Sequence, residues 1–183
     1  EVDAPEILLP TDRKAEICTT KKDIENLIPR WRKIMVKAPW SSSGRGLQPV
    51  TKTPVHHKVW EKILGMIDEQ GVVIVEPFLN KTFDLAFQFK MEGGKVSFKG
   101  TSFFEADKSG RYQGNYLNGL PDRTDEKLKA FIEKSETIIL HPLIKLLEAS
   151  TLAQNYEGHF GVDALVFATS QNELQIGRAS CRE

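Results

Sequence analysis

Apolar residues along this chain recur at two periods, and the changes between them mark out the elements. Thr20-Lys21-Lys22-Asp23 reads as a capping box, opening a helix that runs to about Leu27 and stops near Pro29. Residues 33–37 (KIMVK) predict a short strand, which a Ser/Gly-rich loop follows. From Val59 to Gln70, Trp60, Ile63, Leu64 and Ile67 keep the i, i+3, i+4, i+7 spacing of one helical face, and Gly71 is placed to end it. Val72 to Val75 is wholly apolar, as in a strand covered on both faces. The period then changes to two. Phe83, Leu85, Phe87 and Phe89 alternate with Asp84, Ala86 and Gln88, which predicts a half-buried strand whose other face opens on a cleft. Gly93-Gly94 makes a hairpin turn into a strand over 96–100, so these two strands should be antiparallel. Residues 124–134 predict a polar helix, 142–153 a more apolar one with Pro142 in its first turn, and 161–168 (GVDALVFA) the last strand. No repeat, heptad or low-complexity block interrupts the pattern. The fold class is α+β, with two lobes and a sheet-rich centre.

Composition changes this picture little but excludes several roles. The 183 residues are 40% hydrophobic and 27% charged, the balance of a globular protein able to bury one sizeable core or two small lobes. Lys+Arg and Asp+Glu are both 25, so there is no basic excess of the kind that nucleic-acid phosphates or anionic membranes require. No apolar run approaches the roughly 20 residues that span a bilayer, and EVDAPEILLP does not read as a signal peptide. Two cysteines, Cys18 and Cys181, are too few for a disulfide framework, and a reducing cytoplasm is the expected setting. Both ends read as cuts. The final IGRASCRE, residues 176–183, back-translates to an in-frame read of a common sequencing-library adapter and is expected to be non-native, Cys181 with it.

Chemistry concentrates first in residues 37–47, KAPWSSSGRGL. A strand ends in Lys37, and a turn then delivers Ser41, Ser42 and Ser43 with Gly44 and Gly46. Glycines allow close backbone approach and let successive N–H groups point into one concavity. With Lys37 and Arg45 adding positive charge, the segment suits a polyphosphate. It is not a Walker A loop, which would end in GK[ST]; taken alone it reads equally well as a flexible surface loop. Other polar residues carry ordinary structural readings. Asp84 and Asp163 are each, in isolation, hydrogen-bonded strand aspartates. The adjacent His56 and His57 cannot share a helix face and read as solvated. His159 reads as packed or hydrogen-bonded, His141 as a residue at a helix start, and Cys18 as a buried thiol.

The order VKAPWSSSGRG, VIVEPFL, an acidic position on the next strand and GVD on a later strand resembles the ATP-grasp ligases. More narrowly it is similar to a bacterial ATP-grasp-like family with KAPWSSSGRG, EP and Y-x-G-x-x-GVD signatures, over most of residues 15–174. The resemblance implies an ATP-grasp fold, two lobes with a largely antiparallel sheet around an ATP cleft, truncated at both ends. It implies a small lobe over 1–75, a larger incomplete lobe over 76–175, and the tail over 176–183. Lys37 and Arg45 would take catalytic roles on the phosphates, with Ser41, Ser42, Ser43, Gly44 and Gly46 forming a lid over them. Glu76, Pro77 and Leu79 would meet the adenine edge, Glu76 at its amino group, and Asp84 the ribose hydroxyls. Asp163 would be the first metal acid, for Mg²⁺. The second acid, in an E-x-N motif, should follow Leu174, where the sequence instead enters the tail. The activity implied is ATP- and Mg²⁺-dependent ligation of a small-molecule carboxylate to an amine or thiol, through an acyl phosphate. A non-catalytic nucleotide-binding module and an ATP-grasp kinase are the alternatives. Residues 102–116, with Arg111, Tyr112, Asn115 and Tyr116, could reach a second substrate or simply extend a hairpin.

Overall fold

The computed structural model describes Ala4 and residues 6–41, 46–107 and 112–182, the last five by their backbone alone. The chain forms two compact units: Pro10–Leu79 with Ala106–Tyr112, and Asn80–Glu105 with Gln113–Glu183 and Glu1–Leu9. The division therefore falls at 79/80 rather than 75/76. The segment before Pro10 goes with the second unit because buried Ile7 joins its core and Leu9 N–H donates to the Ile176 carbonyl at 2.9 Å.

The first unit holds β1 (Glu16–Cys18), α1 (Lys21–Trp31), β2 (Ile34–Lys37), β3 (Leu47–Val50), α2 (His57–Gln70) and β4 (Val73–Pro77). Its four strands run in the order β1-β4-β2-β3, every neighbouring pair antiparallel. The capping box forms as expected: Asp23 N–H donates to Thr20 Oγ1 at 3.2 Å, and Thr20 N–H to Asp23 Oδ2 at 2.8 Å. The helix does not stop at Pro29 but carries it inside, reaching Trp31. Burial explains this. Ile24, Leu27, Ile28 and Trp31 form one stripe in the core with Ile34, Val36, Val73, Val75, Ile63 and Met66, and one missing N–H is outweighed by that stripe. α2 ends at Gly71 with φ of 78°, the left-handed conformation a glycine adopts without strain. Cys18 is buried, as expected.

The second unit holds β5 (Lys81–Glu92), β6 (Lys95–Ala106), β7 (Tyr112–Tyr116), α3 (Glu126–Glu148), α4 (Leu152–Asn155), β8 (Gly158–Ala168) and β9 (Leu174–Arg182). The sheet order is β7-β6-β5-β8-β9. Gly93 and Gly94 both take positive φ, 56° and 72°, the turn whose twist suits a two-residue hairpin. The two helices expected over 124–134 and 142–153 are one, α3, with Pro142 and His141 inside it. Leu128, Ile132, Ile139, Leu143 and Leu147 make a buried stripe that runs unbroken past the proline. They pack with Leu85, Phe87, Phe89 and Met91 of β5 and Phe160, Val162, Ala164 and Val166 of β8. Residues 176–182, expected as a tail, continue β9, which pairs with β8 from Ala168↔Leu174 to Gly161↔Arg182. No described helix is long and apolar enough to cross a membrane.

Candidate nucleotide site

In the first unit, sheet register decides which residues meet. Opposed residues of an antiparallel pair share a face. Ile34, Val36, Val73 and Val75 point to the core, so Met35, Lys37, Ile74 and Glu76 occupy the other face. Lys37 opposes Ile74 and Glu76 opposes Met35, which makes Lys37 and Glu76 diagonal neighbours. Lys37 Nζ forms an ion pair with Glu76 Oε1, the two side chains only 9% and 16% exposed. Ile17, opposite Ile74 on β1, and Leu47, opposite Lys37 on β3, extend the same row. The face is thus apolar around one enclosed ion pair. The sequence reading had sent these two residues to opposite ends of a nucleotide, and the structure places them in contact.

The loop after Lys37 joins β2 to β3 as a hairpin, closed where Ala38 N–H donates to the Gly46 carbonyl at 2.9 Å. A methyl group at Gly46 would lie 2.5 Å from Ser41 Cβ and 2.8 Å from Ala38 Cβ, so only glycine lets the chain close there. Ser41 is exposed. Trp40 N–H donates to Gln70 Oε1 at 3.0 Å while its ring stays 83% exposed. Ser42, Ser43, Gly44 and Arg45 lie outside the described residues. At the end of β4, Phe78 N–H donates to the Lys33 carbonyl at 2.9 Å. The trans peptide joining Pro77 to Phe78 therefore turns the Pro77 carbonyl away from β2. Leu79 beyond it is half-buried.

The second unit carries the remaining candidates. Leu85, Phe87 and Phe89 face α3, which leaves Asp84, Ala86 and Gln88 on the opposite face of β5. Register places Asp163 of β8 directly across from Ala86, and Ser102 of β6 across from it on the other side. Asp84 opposes Leu165, so Asp84 and Asp163 are diagonal neighbours on one face. Ala86, 3% exposed, is the floor of a polar ring made by Asp84, Gln88, Ser102 and Asp163. Lys81 Nζ pairs with Asp84 Oδ2 at 2.5 Å. Gln88 Nε2 donates to Ser102 Oγ at 2.8 Å. Sequence reasoning put Gln88 on this face but gave it no role, and it missed Ser102 as part of the ring and Lys81 as the partner of Asp84. Only the β5–β6 register would have found Ser102.

The other named residues separate from these groups. His56 Nδ1 accepts the Lys58 N–H at 3.3 Å at the start of α2, with the His57 ring 4.2 Å away. His159 is exposed rather than packed, because it sits at the start of β8, and its carbonyl accepts the Tyr156 hydroxyl at 2.6 Å. Tyr116 donates to Glu105 at 3.0 Å and stacks on Phe83, while Tyr112 and Asn115 are exposed and Arg111 is outside the described residues. Among the described residues, no three His, Cys, Asp or Glu side chains gather as a metal set. On β9 the position facing Asp163 is Ser180, and residues 174–182 contain no carboxylate.

No protein-family model matches the chain. None of the curated proteins matches it either. Solved structures do. The N5-carboxyaminoimidazole synthetase of Staphylococcus aureus, solved with ADP, matches 91% of this chain at a TM-score of 0.55 and 16% identity, over 39% of its own length. The D-alanyl-alanine synthetase A of Vibrio cholerae matches 92% at 0.55 and 16% identity, over 50% of its length. The biotin carboxylase domain of the Hydrogenobacter thermophilus 2-oxoglutarate carboxylase, solved with MgADP, matches 91% at 0.57 and 12% identity, over 35% of its length. The chain therefore spans half or less of the length of each of these three structures. Two antiparallel sheets in this order, matched over nine-tenths of the chain by enzymes of one superfamily, establish that the protein has the ATP-grasp fold.

Proposed function

We propose that this chain is the nucleotide-binding part of an ATP- and Mg²⁺-dependent ligase that joins a small carboxylate to an amine or a thiol. The observation that carries the reading is the enclosed Lys37–Glu76 pair beside a hairpin loop that only Gly46 can close. A lysine that is largely enclosed beside a carboxylate favours a ligand of high negative charge, and the loop beside it is built for close backbone approach. Lys37 and Arg45 offset charge on the transferred phosphoryl group, with Ser41, Ser42, Ser43, Gly44 and Gly46 around the phosphates. The Pro77 carbonyl, Leu79 N–H and Glu76 meet the adenine edge, and Asp84 the ribose. One oxygen of the carboxylate attacks the γ-phosphorus and the bond to the β-phosphate oxygen breaks, releasing ADP. The amine nitrogen or thiol sulfur then attacks the acyl carbon, phosphate leaves, and the nucleophile gives up its proton.

Mg²⁺ supplies charge neutralisation on the phosphates when bound. Asp163 would hold that ion through its carboxylate, which suits a metal delivered on the nucleotide, since Mg²⁺ is commonly held by one or two carboxylates plus phosphate oxygens. Among the described residues no three His, Cys, Asp or Glu side chains gather as a metal set, and this favours a second reading, a nucleotide-binding module without turnover. Thermal unfolding with and without Mg-ATP tests the shared part of both. A ligand at 100 times its Kd stabilises the native state by about 2.7 kcal/mol. Lys37→Ala should lose most of the shift measured from its own ligand-free baseline, and an unchanged shift overturns the site. Amine- or thiol-dependent ADP release separates ligase from module.

A further inference from the structure

The junction between α1 and β2 holds a strained residue. Trp31 ends α1 and Ile34 opens β2, and both are buried, so the chain must reverse from helix to strand within two residues. Arg32 does this at φ 62° and ψ −47°, with the Lys33 N–H donating back to the Trp31 carbonyl at 2.7 Å. This is the γ-turn of positive φ, a rare and strained conformation for a residue with a side chain. The Arg32 side chain is exposed, so what the position contributes is its backbone. The consequence is felt across the sheet. Ile34 opposes Pro77, so the next pair along the ladder is Lys33 with Phe78. In a regular antiparallel ladder two such residues exchange both N–H···O bonds. Here Phe78 N–H donates to the Lys33 carbonyl at 2.9 Å, while Lys33 turns its own N–H to Trp31. The turn thus ends the ladder at Phe78 and fixes the peptide before it, whose Pro77 carbonyl points away from β2. On that side β1 has already stopped, with Glu16 opposite Val75, so no described strand of the sheet covers this carbonyl.

We infer that Arg32 is a positioning residue for the nucleotide base: its positive-φ turn holds Lys33 where it pins Phe78, and so presents the Pro77 carbonyl to a ligand N–H. The inference rests on the nucleotide reading above and adds to it a residue that touches no ligand. It also separates the two ends of one strand. Lys37 opposes Ile74 and Ile34 opposes Pro77, so β2 carries the phosphate end and the base end about 10 Å apart. A change confined to the turn reaches the base end and leaves the phosphate end as it was.

Substitutions graded by the strain of positive φ test this. Arg32→Gly has none, Arg32→Ala some and Arg32→Val most, because a β-branched side chain clashes there. Dissociation constants of the 183-residue chain for Mg-ATP, Mg-inosine triphosphate and Mg-tripolyphosphate are read by calorimetry. Arg32→Gly keeps the turn and should retain the wild-type ratio of ATP to tripolyphosphate affinity. Arg32→Val should bind ATP about tenfold more weakly, as expected for one net hydrogen bond, with tripolyphosphate unchanged. Its preference for ATP over inosine triphosphate, which carries a carbonyl in place of the adenine amino group, should fall by the same factor. Arg32→Ala should lie between, and it carries the test alone if Arg32→Val does not fold. A ratio that stays constant across the series, a loss of ATP affinity in Arg32→Gly, or a parallel loss of tripolyphosphate in Arg32→Ala overturns the inference. A wild-type chain that binds ATP no better than tripolyphosphate overturns the nucleotide reading itself.

Discussion

Each unit holds a lysine–carboxylate pair next to a candidate residue of the site, Lys37–Glu76 in the first and Lys81–Asp84 in the second, and these two pairs are built differently. Lys37 and Glu76 come from separate strands and meet diagonally, 9% and 16% exposed, on a face otherwise apolar. Lys81 and Asp84 are near neighbours on one strand, across a register shift, and Lys81 is 31% exposed. The first pair exists only when the sheet is assembled, and each partner is the other's chief neutraliser. The second forms locally, with water at hand. Enclosure makes Lys37 a charge that responds strongly to any new anion, while Lys81 serves to steady Asp84.

The sharpest way to break this comparison is to strand one charge. Lys37→Met should destabilise the chain by about 3–5 kcal/mol, as expected when one partner of an enclosed pair is removed. Lys37→Met with Glu76→Leu should recover most of the loss in urea unfolding. Gly46→Ala should cost about 1–3 kcal/mol, because the added methyl meets both Ser41 Cβ and the Cβ of buried Ala38, and should also weaken the Mg-ATP shift in thermal unfolding. Enclosure in the first unit has a titrating counterpart in Cys18, whose thiol is pushed up to about 11 by burial, then by Asp23 and Glu16. The unfolded chain releases this proton from the ordinary value of 9.0, the native chain holds it to about 11. Stability from this group is therefore complete below pH 9 and falls as pH rises toward 11, and Cys18→Ala should flatten that part of a stability–pH curve. Lys81→Met should be the mildest, about 1 kcal/mol or less in the same urea experiment. A loss equal to that of Lys37→Met would erase the distinction between the pairs.

Local signals were legible in the sequence, and pairings between distant strands were not. Thr20 with Asp23, Gly71 and Gly93-Gly94 each act within four residues, and each does in the structure what its chemistry predicts. Pro29 and Pro142 misled because a buried stripe on either side outweighs one missing backbone donor, and stripes are judged against partners the local sequence does not show. The alternation over Phe83 to Phe89 placed Asp84 and Gln88 on one face correctly. That Asp163 joins them, and that Lys37 lies against Glu76, depends on register between strands far apart in the chain. The motif order singled out those residues one by one, and only the sheet brought them together.

The parallel bridge between Leu8 and Ile176 carries a consequence for how this chain comes together. Ile176 N–H donates to the Ile7 carbonyl at 2.7 Å, so the segment before Pro10 is stitched to β9. The first unit is in this sense an insertion, a stretch that begins and ends between two parts of the second. A contact between residues so far apart in the chain must close a long loop before it is rewarded, so this seam should form later than the local pairs within residues 10–79.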